Sequence, residues 1–233
     1  MVKIYVVRHC EAAGNTAQVF QGSTDSDISE LGKTQLEFLK KRFENIHIDK
    51  AYSSPLMRAY LTAVAAVESK GIEVKKDPRF SEIDGGIIEG MPFGEIFKNH
   101  GALEHCWENH PENFAPEGGE SMRQVYDRIW QGVEAIGRDP ENEGKTILVA
   151  SHGAAIRTLL CRVVLGAIER LNEMKWSDNT AVSLLVFDEK GVRAEFINDS
   201  SHVPEEFMPR SSQIDAAIEK GVNEVLKDDN NVG

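Results

Sequence analysis

Twice in this chain a run of aliphatic and β-branched residues stops on a histidine. Lys3-Ile4-Tyr5-Val6-Val7 leads into Arg8-His9, and Thr146-Ile147-Leu148-Val149-Ala150 leads into Ser151-His152-Gly153. Runs this short and this apolar read as strands buried on both faces, as in parallel sheets. Ligands of an open α/β sheet bind beyond the carboxyl ends of its strands, so Arg8, His9 and His152 are expected at the mouth of one site. A guanidinium there offers a planar fork suited to phosphate, and an imidazole is a nucleophile or acid/base usable near neutral pH.

The intervening segments alternate helix and strand signals. Ser29 predicts an N-cap, with Glu30 in the first turn and Leu36, Leu39 and Phe43 on a buried face. A second strand is expected over residues 48–52, then a helix capped by Ser54 with Pro55 in its first position, running to about residue 69. Arg58 would sit in its first turn, where a cation is unfavourable by about 0.3–1 kcal/mol unless an anion lies beside it. Gly71 closes that helix, and residues 72–74 are a third strand. Glu82 lies among apolar neighbours before a glycine-rich turn, a setting that suits a general acid working near pH 7. Residues 84–118 read as an irregular cap over a pocket, the usual use of long insertions. His100, His105 and His110, with Cys106, fall five residues apart, which does not place them on one helix face and argues against a metal site. The clearest helix is 120–137; another spans 154–165, and its start beside Gly153 offers backbone N–H groups to an anion. Residues 181–187 and 192–197 form a hairpin around a four-residue loop, and a C-terminal helix and tail occupy about 205–233.

Composition narrows the function classes. With 233 residues, 41% of them apolar, the chain can bury a core of one large domain spanning 1–233. No apolar run approaches the roughly 18 residues of a membrane span. Cys10, Cys106 and Cys161 are an odd set without metal-site spacing, which disfavours a disulfide framework and fits a cytoplasmic protein. A net charge of −12 disfavours nucleic acid and anionic membranes as partners. A small anion would need a local cluster of positive groups, which Arg8, Arg58 and the two histidines can supply.

With these residues in hand, the chain resembles the histidine phosphatase superfamily, the group that includes the cofactor-dependent phosphoglycerate mutases. The likeness rests on Val7-Arg8-His9 with Glu11 and Asn15, then Gln21-Gly22, Asp27 and Ser29-Glu30-Leu31-Gly32. It continues through Ser53-Ser54-Pro55-Leu56-Met57-Arg58-Ala59 with Thr62-Ala63, Glu82 with Glu89-Gly90, Gly119-Glu120-Ser121 and Ser151-His152-Gly153, in family order. The resemblance implies a three-layer α/β/α fold with a mostly parallel central sheet. It implies that His9 attacks phosphorus and carries the phosphoryl group, while Glu82 gives a proton to the leaving alkoxide and takes one from water. Arg8, Arg58, His152, Asn15 and Gln21, with the backbone near Gly22 and Gly153, would cradle the phosphate. No cofactor or metal is called for when arginines supply the charge.

One position departs from the family pattern: Cys10 stands where glycine usually follows the nucleophile. Two readings follow: a β-carbon that crowds the phosphate or strains a positive φ with a thiol of lowered pKa beside two cations, or, the favoured one, a cysteine tolerated simply as a small residue. The stretch 83–93 has no Lys or Arg, unlike the mutases, so hydrolysis of a small-molecule phosphate monoester is the expectation. Ile87, Ile88, Met91, Phe93 and Trp107 would favour an ester with apolar surface. A cofactor-dependent phosphoglycerate mutase and a non-catalytic phospho-ligand or protein-binding module are the alternatives, and a homodimer is left open.

Overall fold

The computed structural model describes residues 1–208, so most of the expected C-terminal helix and tail lies outside the described residues. Its elements in chain order are β1 (Val2–Arg8), α1 (Ala13–Ala17), α2 (Glu30–Phe43), β2 (Lys50–Ser53), α3 (Met57–Val67), β3 (Val74–Lys76), α4 (Phe93–Asn99), α5 (Gly101–Asn109), α6 (Met122–Gly137), β4 (Thr146–Ser151), α7 (Gly153–Leu160), β5 (Val182–Asp188) and β6 (Gly191–Asp199). One sheet runs β3-β2-β4-β1-β5-β6. The first four strands in that order pair in parallel; β5 and β6 are antiparallel additions.

Period-two alternation divides the strand side chains between two cores. Ile4, Val6, Ile147, Val149, Leu185 and Phe187 pack with Ile129 and Val133 of α6 and Leu159 of α7. Val7, Leu148, Ala150 and Val182 pack on the other side with Leu39 and Phe43 of α2 and Ala59 and Ala63 of α3. The result is the expected α/β/α sandwich. Ser29 caps α2 by accepting a hydrogen bond from Gly32 N at 2.9 Å. A β-carbon on Gly32 would come within 2.1 Å of the Glu11 carbonyl oxygen, so α2 lies directly on the loop that leaves β1.

Several boundaries differ from the sequence expectation. Helix α3 begins at Met57, not at Pro55; Ser54 instead accepts from Leu56 N at 3.2 Å. The true cap is remote: the Asp25 carboxylate accepts from Met57 N at 2.9 and 3.0 Å, a tertiary contact that local sequence cannot reveal. Strand β3 forms two residues later than expected because it pairs with β2 through Ala51↔Val74 and Ser53↔Lys76. Within the cap region, 93–109 folds as two short helices, α4 and α5. Helix α5 has no fully buried residue, so its apolar periodicity is weak. The β5–β6 connection is Glu189-Lys190 alone, with Gly191 at φ +120° completing the turn. Among the described residues no helix is long and apolar enough to cross a membrane.

Helix α6 opens with a full capping box. Ser121 Oγ accepts from Gln124 N, and Gln124 Oε1 accepts from Ser121 N at 2.8 Å. Ser121→Ala is expected to destabilise the fold by about 1 kcal/mol, read as a lowered urea midpoint at unchanged slope.

Candidate active site

The site follows from strand register. Arg8 of β1 pairs with Ser151 of β4, so the next residue on each strand, His9 and His152, emerges side by side. His9 N donates to the Ser151 carbonyl at 2.9 Å, and the two imidazole centroids are 5.0 Å apart. The residue after β1 is then pinned from three directions. Asn179 Nδ2 donates to the His9 carbonyl at 2.9 Å, Cys10 N donates to Thr62 Oγ1 at 3.0 Å, and Thr62 Oγ1 donates to the Arg58 carbonyl at 2.7 Å. The nucleophile candidate is thereby tied to β4, to the segment before β5, and to α3.

His9 Nδ1 lies 2.6 Å from the Cys10 carbonyl oxygen. A carbonyl can only accept, so Nδ1 carries the proton and Nε2 keeps its lone pair. Burial, followed by the charges of Arg58 and Arg8, holds the His9 pKa well below the ordinary imidazole value. Burial and the same arginines do likewise for His152. Both rings are therefore neutral near pH 7. His152 has no accessible surface, and neither ring nitrogen has a hydrogen-bond partner among the described residues. Its two unpartnered nitrogens sit next to the His9 ring at the end of β4.

Arg8, His9, Asn15, Gln21, Arg58, Glu82 and Gly153 do line one cleft. Arg8 Nη1 donates to the Ser177 carbonyl, while its Nε has no partner among the described residues. Burial lowers the pKa of both arginines, and Glu82 is the first charge opposing that in each case. Arg58 is almost fully buried in the first turn of α3, as expected. The anion at that helix start is the protein's own Asp25, 3.9 Å from the guanidinium.

Glu82 is set differently from the sequence expectation. Its Oε1 accepts from Ile83 N at 3.0 Å and Ala155 N at 3.1 Å, and its Oε2 accepts from Ala154 N at 3.1 Å. The amides at the start of α7, expected to receive a ligand anion, thus hold this carboxylate at the cleft wall. Gly22 is packed against the loop before α4. It does not line the cleft; its N–H donates to Glu89 at 3.3 Å, and a β-carbon there would lie 2.0 Å from the Ile83 carbonyl oxygen.

Glu89, beside Gly90 in the sequence motif, is the centre of the loop that carries Gln21. Its carboxylate accepts from the backbone N–H groups of Gly22, Ser23, Thr24 and Gly85 and from Thr24 Oγ1 at 2.7 Å. Burial opposes the charge, but these bonds outweigh it and keep the Glu89 pKa below the ordinary carboxylate value. Arg58 holds the opposite side of the same loop, donating to the carbonyls of Thr24 and Gly22 at 2.9 Å each. One carboxylate binds the amides and one guanidinium binds the carbonyls, so Glu89 sets the aim of both Gln21 and Arg58.

Cys10 agrees with the reading of a tolerated small residue and not with that of a strained, activated thiol. Among the described non-glycine residues only Gln18, Thr180 and Asn198 have positive φ, so no strain arises at Cys10. The thiol is buried, and burial pushes its pKa up to about 11. Its carbonyl, which any residue would supply, is the group that orients His9. His105 and His110 stand with ring centroids 5.9 Å apart on and beside α5. Thr62, within the motif that follows Arg58, and Asn179, which no signal in the sequence marked, complete the site, and Trp176, in the segment before β5, lines the cleft.

Comparison with known proteins agrees with this geometry. The profile of the histidine phosphatase superfamily (branch 1) matches residues 4–200. The chain is 33% identical over 208 residues to phosphoserine phosphatase 1 of Hydrogenobacter thermophilus, covering 88% of this chain and 96% of that protein. Its fold is similar to Bacillus stearothermophilus YhfR, with a TM-score of 0.83 and 27% identity over 88% of this chain and all of the other. It is also similar to a mycobacterial glucosyl-3-phosphoglycerate phosphatase, with a TM-score of 0.77 and 26% identity over 85% of this chain and 99% of the other. The chain belongs to the histidine phosphatase superfamily.

Two outcomes follow from the site. In the native protein near pH 7, a thiol reagent should modify the half-buried Cys106 and leave Cys10 untouched until denaturant is added; rapid labelling of Cys10 contradicts its burial. Glu89→Gln turns an acceptor oxygen into a donor facing N–H groups. It is expected to weaken inorganic phosphate binding about tenfold by calorimetry, since it leaves buried donors unpaired; unchanged affinity contradicts the positioning role.

Proposed function

We propose that the protein is a metal-independent phosphomonoesterase that works through a phosphohistidine on His9, acting on a small phosphorylated metabolite in the cytoplasm. The observation that carries this reading is the His9 tautomer: Nδ1 is committed to the Cys10 carbonyl, and Nε2 is an unprotonated nucleophile in a cleft lined by two arginines. The names of the related phosphatases support the same reaction type.

In the first step Nε2 attacks phosphorus in line, the P–O bond to the alcohol breaks, and Glu82 delivers its proton to the departing oxygen. Arg8 and Arg58, with Asn15 and Gln21, hold the equatorial oxygens. His152 holds a further equatorial oxygen, its ring 5.0 Å from that of His9 and its nitrogens without a partner among the described residues. In the second step Glu82 takes a proton from water, the resulting hydroxide attacks phosphorus, and the P–N bond breaks to release inorganic phosphate. The transferred group carries spread negative charge, so fixed cations and in-line geometry supply most of the acceleration.

His9→Ala should abolish phosphate release from an aryl phosphate and the acid-labile, alkali-stable phosphoenzyme, and a chelator should leave wild-type turnover unchanged. Retained turnover in the variant overturns the assignment. Because the His9 pKa is held well below its ordinary value, protonation removes the nucleophile only at more acid pH. The acid limb of kcat/KM should therefore fall below about 6.5, the ordinary imidazole value. An acid limb centred at or above that value contradicts the neutral, buried nucleophile.

A further inference from the structure

The cleft changes character away from the arginines. There its wall is Val19, Phe20, Ile83, Phe93, Trp107 and Trp176. These come from five separated stretches of chain, yet the aromatic rings form one surface. Trp107 of α5 stacks on Trp176 with centroids 5.4 Å apart and planes at 25°. Phe20 meets Trp107 edge-on at 6.4 Å and Phe93 at 6.1 Å. Phe114 supports both Trp107, at 5.0 Å, and Phe20, at 6.3 Å.

This surface begins directly beside the phosphate end. A β-carbon placed on Gly153 would lie 3.3 Å from the Trp176 ring and 3.6 Å from Arg8 Cζ, so the ring and the guanidinium are immediate neighbours. Trp176 is held there by Arg157, whose guanidinium lies 4.6 Å from the ring centroid and donates to the carbonyls of Met174 and Leu171. Arg157 does not itself line the cleft. Among the described lining residues, the ionisable groups are Arg8, His9, Arg58 and Glu82, all used at the phosphorus. The remaining polar lining, Asn15, Gln18, Gln21 and Asn179, is uncharged. A second anionic group on the substrate would lie against aromatic rings without a counter-charge, which costs its hydration with no return.

We infer that the physiological ester has an uncharged alcohol bearing an apolar, aromatic group, and that the site disfavours phosphorylated amino acids and hydroxy acids. This deepens the phosphomonoesterase reading and rests on it. It also separates this chain's specificity from the substrate in the name of its phosphoserine phosphatase relative.

The test compares 2-phenylethyl phosphate, ethyl phosphate and O-phospho-L-serine as substrates of the wild-type protein. All three release a primary alcohol, so differences in kcat/KM report mainly on the wall. The phenylethyl ester should exceed the ethyl ester by about 30-fold or more, the gain expected from burying one ring, and phosphoserine should fall below the phenylethyl ester by at least as much. Trp107→Leu and Phe93→Leu should each cut the phenylethyl-to-ethyl ratio severalfold. A wild-type measurement guards against poor folding of these variants: benzylphosphonate should inhibit about 30-fold more tightly than ethylphosphonate. Phosphoserine turned over as well as or better than the phenylethyl ester, or equal inhibition by the two phosphonates, overturns the inference and leaves the phosphatase reading intact. Absence of both turnover and phosphoenzyme with every ester overturns that reading and this inference with it.

Discussion

The site depends on the in-register parallel pairing of β1 with β4. Because Arg8 faces Ser151 across that ladder, two strands far apart in sequence end at the same level and deliver two histidines to adjacent points. A slip of one residue would turn His9 or His152 to the other face of the sheet. The pairing is enforced by the alternation of Ile4 and Val6 with Tyr5 and Val7, which commits each strand face to its own helical layer. Packing on both sides of the sheet thus specifies the chemistry at its edge.

A second theme is the use of the protein's own carboxylates as internal anions. Asp25 satisfies the first amide of α3, Glu82 the amides of α7, and Glu89 the amides of the loop from Gly22 to Thr24. These anions oppose the loss of charge that burial would impose on Arg8 and Arg58. An acidic chain can in this way keep a strongly positive point for phosphate without a broad basic surface, and the arginines stay charged because each lies near fixed anions.

Much of this was legible in the sequence, and the limits are physical. The strand-end histidines, the α2 cap at Ser29 and the helix α6 follow from local periodicity and capping chemistry, whereas the parts given to Arg58 and Glu82 rest on the family resemblance. The α3 start was misplaced because its capping group, Asp25, lies about thirty residues away. The amides beside Gly153 were read as a ligand site because nothing local shows that Glu82 will occupy them. The Gly22 amide goes to Glu89, a tertiary contact that the sequence around Gly22 does not mark. Ile87 and Ile88 were grouped with the pocket wall, yet one is exposed and the other is in the core, while Trp176 and Phe20, which do form the wall, are brought there only by long-range packing.

The account stands on a neutral His9 with its proton on Nδ1, held there by the Cys10 carbonyl. Nitrogen-15 NMR of the imidazole in the ligand-free protein at neutral pH reads that state directly. The account predicts a protonated Nδ1 and a bare Nε2, persisting as the pH is lowered through the range where free imidazole titrates. An imidazolium at neutral pH, or the proton on Nε2, would contradict it.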